Sequence, residues 1–141
     1  METVYKRFVI SDDKEKLQID RIREMLSTSY WARDRSMDVI QKTIDNSICF
    51  GIYQDENQIG FARCVTDYST MYWLGDVIID CDFRGLGLGK ALMKAITQHD
   101  ELRSLRGILE TDDAHDLYKQ YDFYFDDGKY MIRKAQQRHF M

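Results

Sequence analysis

The stretch Arg84-Gly85-Leu86-Gly87-Leu88-Gly89-Lys90 decides the fold, because it stands between a β-prone run, Met71 to Asp80, and a helical pattern. Three alternating glycines allow a ligand to approach the backbone closely. The first N–H groups of a helix have no internal partners and lie at the positive end of its dipole. The stretch therefore predicts an anion site suited to a pyrophosphate, with Lys90 and Arg84 adding positive charge. The helical pattern has apolar residues at intervals of three and four: Leu88, Ala91, Leu92, Ala95, Ile96.

Two other phosphate-binding loops fit these residues poorly. A Walker A loop needs a glycine where Arg84 stands and a serine or threonine where Ala91 stands. A Rossmann fingerprint needs its third glycine one residue later than Gly89, and an acidic residue about 20 residues further on is not evident. We therefore reject the Walker A interpretation and regard the Rossmann interpretation as weak.

The order R/Q-x-x-G-x-G/A, which Arg84 to Gly89 follow, resembles the pyrophosphate loop of the GNAT superfamily of acyl-CoA N-acyltransferases. A second segment, Ala114 to Phe123, resembles the family signature A-x-x-x-Y-x-x-x-G-F. Asp122 departs from it, since it stands where the family has glycine, and a position with positive φ accepts aspartate less readily. The resemblance implies an α/β fold with a mixed sheet, and acetyl-CoA as the cosubstrate.

The resemblance also implies roles for single residues. Gly85 to Lys90 would bind the CoA pyrophosphate through backbone amides, and the strand before them would pair its main chain with the pantetheine arm, at Val77, Ile78 and Ile79. Tyr118 would protonate the leaving thiolate, although its apolar neighbours also fit a core tyrosine. Thr111 stands where the family often has an asparagine that reaches the cofactor arm.

An attacking amine must lose a proton, so a base is needed. Asp76, on the strand before the glycines, is our candidate, with a hydrogen-bonded structural aspartate as the alternative. Glu110, at the end of the next strand, is a lesser candidate. Tyr30 and Trp31 lie in the region that lines the acceptor site in GNAT folds and could hold a cation or simply plug a helix end.

The length and composition limit which other classes of protein the sequence can encode. The 141 residues, without proline, predict one domain over residues 1–141. The net charge of −4 excludes a broad nucleic-acid surface. The first residues lack an apolar signal core and no run is long enough to span a membrane, so we expect a cytoplasmic protein. Its cysteines fit free thiols rather than a disulfide framework or a zinc site, and we expect no metal: Cys49, Cys64, Cys81.

The predicted element order is β-α-α-β-β-β-α-β-α-β-β. It has strands at Val4–Ile10, Ile48–Tyr53, Gln58–Thr66, Met71–Asp80, Gly107–Glu110, Phe123–Phe125 and Lys129–Arg133, and helices at 14–28, from Met37, from Leu88 and from Ala114.

The predicted activity is transfer of an acetyl group to a primary amine by direct attack. The acceptor is a small molecule or a peptide, and the chain acts as a monomer or a homodimer. A non-catalytic acyl-CoA sensor or interaction module on the same fold is the alternative.

Overall fold

A computed structural model describes residues 1–136 and shows one six-stranded sheet with its strands in chain order. Neighbouring strands are antiparallel except the last pair, which is parallel. The strands are β1 (Glu2–Tyr5), β2 (Phe8–Ser11), β3 (Ile48–Gln54), β4 (Asn57–Thr66), β5 (Met71–Ile79) and β6 (Arg106–Leu109), and the α-helices are α1 (Ile19–Leu26), α2 (Met37–Asp45), α3 (Leu88–Thr97) and α4 (His115–Lys119). The predicted α/β class with a mixed sheet is confirmed.

Helices cover both faces of the sheet, so its central strands are buried on both sides. One apolar cluster packs α3 against the sheet and includes Phe8, Phe50 and Leu92. A second cluster packs α1 and α2 against the opposite face and includes Ile22 and Ile40. The first six residues of β3 are buried without interruption, as expected for a strand between two layers.

The N-terminal elements differ from the prediction in two places. The single strand expected at Val4–Ile10 is a hairpin, β1 and β2, because the chain turns at Lys6 with a φ of 53°. The helix expected at 14–28 starts at Ile19, because Asp13 caps a short 3₁₀ turn, Lys14–Lys16, before it. Helical spacing of apolar residues cannot reveal such a local break, since capping competes with helix extension.

The two closing strands, predicted at Phe123–Phe125 and Lys129–Arg133, are wrong within the described residues. No strand follows β6 up to residue 136, and Tyr124 and Met131 are 79% and 98% exposed. β-propensity becomes a strand only where a partner edge pairs with it, and β6 has four residues, paired here with β5 alone. Residues of this segment line a cavity of about 840 Å³ together with residues of β6 and α4, and Phe123 and Phe125 contact α4 through Tyr118 and His115. His139, for which no catalytic partner was found in the sequence, lies outside the described residues.

Candidate active site

The glycine loop joins β5 to α3 as predicted and leaves its amides free. Gly85 and Gly87 have φ values of 78° and 83°, and Gly87 is the N-cap of α3 without a side-chain cap. The first hydrogen bond of helix α3 is donated by the N–H of Ala91 to the carbonyl of Gly87. Within residues 1–136 the N–H groups of residues 85–90 have no hydrogen-bond acceptor. A row of free amides at the positive end of a ten-residue helix fits a diphosphate.

Three side chains missed by the sequence analysis fix this loop. The Tyr5 hydroxyl donates to the carbonyl of Leu86 at 3.0 Å, and Lys6 Nζ donates to the same oxygen at 3.4 Å. The Tyr121 hydroxyl donates to the carbonyl of Lys90 at 2.7 Å. A Cβ on Gly87 would overlap the Tyr5 hydroxyl. No local signal marks Tyr5, because its partner is 81 residues away.

Along the part of β5 that leads to the loop, one edge pairs with β4 and the other edge has no strand partner within residues 1–136. Its parallel pairing with β6 ends at Leu74 and Leu109, whereas its pairing with β4 continues to Ile79. The N–H of Asp80 points to β4, where it donates to Ile59. Peptide direction alternates along a strand, so the N–H and C=O of Ile79 and Val77 point into the gap. The predicted pantetheine-pairing strand thus has an open edge.

Asp76 lies at a β-bulge in this strand and is buried. The β4–β5 register shifts beside it, and its φ is 53°, a value uncommon outside glycine. Its carboxylate accepts bonds from Arg35 Nη1 and Arg63 Nε, both at 2.6 Å, and from Trp31 Nε1 at 3.0 Å. Burial raises its pKa, but the hydrogen bond and charge of Arg63, followed by those of Arg35, outweigh burial and lower the pKa. Asp76 is therefore held as an anion.

Tyr118 lies on α4 with its ring buried and its hydroxyl available. It is 9% exposed and packs edge-on against Phe123, with ring centroids 6.1 Å apart. Its hydroxyl has no hydrogen-bond partner within the described part of the chain, and it lines a cavity. Burial, and then the charge of Asp113, raise the pKa of Tyr118, so the phenol stays protonated at neutral pH.

Tyr30 and Trp31 lie in the loop between α1 and α2 and contact each other edge-on, with centroids 5.0 Å apart. They are 59% and 43% exposed, so neither is the buried plug that the sequence also allowed. Trp31 reaches Asp76 through its indole N–H. The two aromatic side chains therefore form the rim of the same site as the bulge.

A cavity of about 400 Å³ brings together the residues predicted for catalysis and acceptor binding. It is lined by Tyr30, Trp31, Asp76, Val77, Glu110, Thr111 and Tyr118, together with Arg35 and Arg63, which the sequence analysis missed. The glycine loop does not line it and lies further along β5. Arg63 carried a usable signal, because a charged residue inside an apolar strand needs a partner.

Thr111 has a structural task in addition to its place in the cavity. Its hydroxyl oxygen accepts a bond from the N–H of Ala114 at 3.0 Å, which organises the turn before α4. Asp122 adopts the left-handed conformation expected of the family's glycine, with a φ of 68°. The aspartate therefore keeps the turn after α4, and the departure from the family signature leaves the backbone path intact.

Two buried thiols and one acidic cluster lie outside this cavity. Burial raises the pKa of Cys49 to about 11 and that of Cys64 to about 12, so both stay protonated. Ligand atoms of Asp80, Cys81 and Asp82 lie within 4.8 Å of one another. Asp80, however, is bonded to Arg21 and accepts a hydrogen bond from the N–H of Asp82.

No helix within residues 1–136 combines the length and apolarity that a membrane crossing requires.

A mixed sheet with an open strand edge, a glycine loop at a helix N-terminus and an adjoining polar cavity define an acyltransferase-type fold. The model of the acetyltransferase (GNAT) family matches residues 19–123. The chain therefore belongs to the GNAT family.

Relatives agree with this assignment. A crystallised protein of Xanthomonas campestris pv. campestris, assigned to the GNAT family, is 38% identical, with a TM-score of 0.88 over 94% of this chain and 96% of that one. A protein of Gibberella zeae that carries the name of an acetyltransferase is 28% identical over 64% of this chain. An uncharacterised N-acetyltransferase of Prochlorococcus marinus is 34% identical over 64% of this chain. The chain covers 63% of the Gibberella protein and 49% of the Prochlorococcus protein.

Proposed function

We propose that this chain transfers the acetyl group of acetyl-CoA to a primary amine, of a small molecule or a peptide, by direct attack. One observation carries the proposal. The half of β5 whose β6-side edge is unpaired within the described residues leads from the cavity at Asp76 to the free amides of the glycine loop. An acyl-CoA laid along this edge has its diphosphate at the loop and its thioester at the cavity.

Backbone groups would hold the extended cosubstrate. The N–H and C=O of Val77 and Ile79 would bond to the amides of the pantetheine arm, as in β-strand addition. Free amides of residues 85–90, with Lys90 and Arg84 nearby, would bind the diphosphate. An N–H of the strand would polarise the thioester carbonyl, where negative charge develops during attack. Leu88 would contribute its backbone, since its side chain is buried in the core, whereas the backbone of Ile78 faces β4 and leaves the arm to Val77 and Ile79.

Tyr118 would act as the acid. When the amine nitrogen bonds to the acyl carbon, the carbon–sulfur bond breaks and the thiolate of CoA needs a proton. The Tyr118 phenol is protonated, lines the cavity and gives its proton to no described residue. A phenol that keeps its proton until a thiolate forms nearby is suited to this transfer. Thr111, at the same wall, would contact the cofactor arm.

Asp76 is better suited to positioning than to accepting the amine's proton. Both of its oxygens accept bonds, two of the three donors are guanidinium groups, and its pKa is lowered. A carboxylate stabilised in this way is a weak base. Glu110 is exposed, lines the same cavity and forms no ion pair within residues 1–136. We therefore propose Glu110, directly or through water, as the proton acceptor and Asp76 as the residue that fixes the bulge.

Calorimetry with acetyl-CoA, combined with release of free CoA thiol over a panel of amines, tests the proposal. The panel contains polyamines, amino acids, amino sugars and lysine peptides. Saturable binding together with turnover on at least one amine is the expected result. Binding without turnover on any acceptor favours the acyl-CoA sensor, and absence of binding rejects an acyl-CoA protein altogether.

A further inference from the structure

The cavity beside Asp76 has one wall with an excess of positive charge. Arg35 and Arg63 line it, and their side chains are 19% and 16% exposed. Both bond to the same oxygen of Asp76, Oδ2, and within residues 1–136 no other carboxylate is bonded to either. Two guanidinium groups against one carboxylate leave one positive charge in excess. A half-buried charge of this kind is costly unless an anion or water compensates it.

The guanidinium of Arg35 has N–H groups that form no hydrogen bond within the described residues. A guanidinium carries five N–H groups, and within the described residues the guanidinium of Arg35 donates a single hydrogen bond, from Nη1 to Asp76. Arg63 donates to Asp76 and to the hydroxyl of Ser47. The planar fork of arginine matches the two oxygens of a carboxylate or a phosphate. The remaining N–H groups of this wall can therefore bind an anionic group in the cavity.

The opposite wall is negative. Glu110, Asp112 and Asp113 line the same cavity, are exposed, and form no ion pair within the described part of the chain. They follow β6, whereas the arginines stand on β4 and on the loop before α2. Asp112 and Asp113 line the cavity together with Tyr30 of the aromatic rim, and partial desolvation followed by their charges raises the pKa of Tyr30. A cation would be attracted to this side.

We propose that the acceptor is a small primary amine that also carries an acidic group, with its carboxylate or phosphate on Arg35 and Arg63. Its amine then lies toward Glu110, Asp112 and Asp113. The volume of about 400 Å³ suits a compact molecule with both groups, rather than a long polycation. This inference rests on the proposed acetyl transfer and adds to it the class of acceptor.

Matched acceptor pairs test the inference in the unaltered protein. Each pair differs in one anionic group: an α-amino acid and its amide, and glucosamine 6-phosphate and glucosamine. Rates are compared at equal concentrations of neutral amine, because the amine pKa differs within a pair. We expect kcat/KM to be about 10- to 100-fold higher for the anionic member of at least one pair, the factor that charged hydrogen bonds supply. The two pairs distinguish a carboxylate ligand from a phosphate ligand.

Substitution of Arg35 tests whether this residue causes the preference for the anionic acceptor. In Arg35→Gln the kcat/KM ratio of the anionic to the neutral acceptor should fall to near 1, and Arg35→Lys should restore part of it. Arg33→Gln is the matched control, because Arg33 is exposed, lies two residues away and does not line the cavity. Its ratio should equal that of the wild type.

Two results would overturn the inference: equal or higher kcat/KM for the neutral members of both pairs, or a ratio that Arg35→Gln leaves unchanged. The comparison of acceptor pairs uses the unaltered protein, so it can overturn the inference even if Arg35→Gln is poorly folded. Calorimetry separates this failure from that of the proposed function. Acetyl-CoA binding with a preference for uncharged or polycationic amines rejects only the acceptor class. Absence of acetyl-CoA binding rejects the acetyl transfer itself.

Discussion

Replacement of Gly87 by alanine should disturb the diphosphate loop in two separable ways. The residue has a φ of 83°, and an L-residue in the left-handed region costs about 1–2 kcal/mol. The added Cβ would also overlap the Tyr5 hydroxyl, which now donates to Leu86. Displacing that hydroxyl costs about 1 kcal/mol for the lost hydrogen bond. We therefore expect Gly87→Ala to lower the free energy of unfolding by about 2–3 kcal/mol.

A double-mutant cycle isolates the clash. Tyr5→Phe alone should cost about 1 kcal/mol, because it removes the same hydrogen bond. The double variant should be no less stable than Gly87→Ala, since the hydroxyl is lost only once and the overlap is gone. Urea denaturation of the four proteins should thus give a coupling energy of about 1 kcal/mol. Strict additivity of the two single changes would refute the contact between Tyr5 and the loop.

The same substitution tests the ligand of the loop. Left-handed backbone at Gly87 aims the following amides outward, so Gly87→Ala should weaken acetyl-CoA binding at least about 10-fold in calorimetry, as expected for a lost charged hydrogen bond. Gly128→Ala is the control, because Gly128 has a φ of 77° in open space outside the site. The Gly128→Ala variant should carry the same backbone strain and yet bind acetyl-CoA with the affinity of the wild type. Unaltered acetyl-CoA affinity in Gly87→Ala would remove the diphosphate from this loop.

Three further predictions follow from single residues. Tyr118→Phe should lower kcat about 100-fold or more, since a general acid acts in the chemical step, while the Kd for acetyl-CoA changes less than about 3-fold. Stopped-flow measurement of thiol release gives kcat, and an unchanged value would eliminate Tyr118 as the acid. Asp76→Asn should lower the free energy of unfolding by about 3 kcal/mol at neutral pH, because two arginines lose their charged partner. The folded-state pKa of Asp76 lies below its ordinary value of 3.8, so this contribution is present above about pH 4 and lost as the pH falls through the folded-state pKa. Urea titrations between pH 2 and pH 7 should show the two proteins converging in acid; a constant gap would contradict the ion pairs. Asp122→Gly should raise stability by about 0.5–1 kcal/mol, because the position has a φ of 68°, and a lower Tm would contradict this.

Local sequence predicted the parts of the fold that depend on local chemistry. Glycines before an amphipathic helix indicated the loop, and Gly85 and Gly87 adopt the positive φ that makes glycine necessary there. The hairpin of β3 and β4 followed from its polar turn and two β-prone arms. The closing strands failed because a strand depends on a partner edge, which no property of residues 123–133 encodes.

The sequence named several residues that line the candidate cavity, but neither of its two arginines and none of the contacts between its residues. Asp76, Tyr118, Tyr30 and Trp31 were named individually, and the fold brings them to one cavity. The bonds of Asp76 to Arg35 and Arg63 span 41 and 13 residues, distances at which sequence patterns carry no contact information. Those two arginines change the chemistry most, since they turn a candidate base into a fixed anion.

The open half of β5 makes the native sheet an unfinished structure. Under the proposed function the acetyl donor supplies the absent neighbouring strand, so ligand binding and sheet completion are one event. A donor at 100 times its Kd would add about 2.7 kcal/mol to the free energy of unfolding. Resistance to proteolysis, and with it the lifetime of the enzyme in a cell, would then rise and fall with the supply of activated acetyl groups.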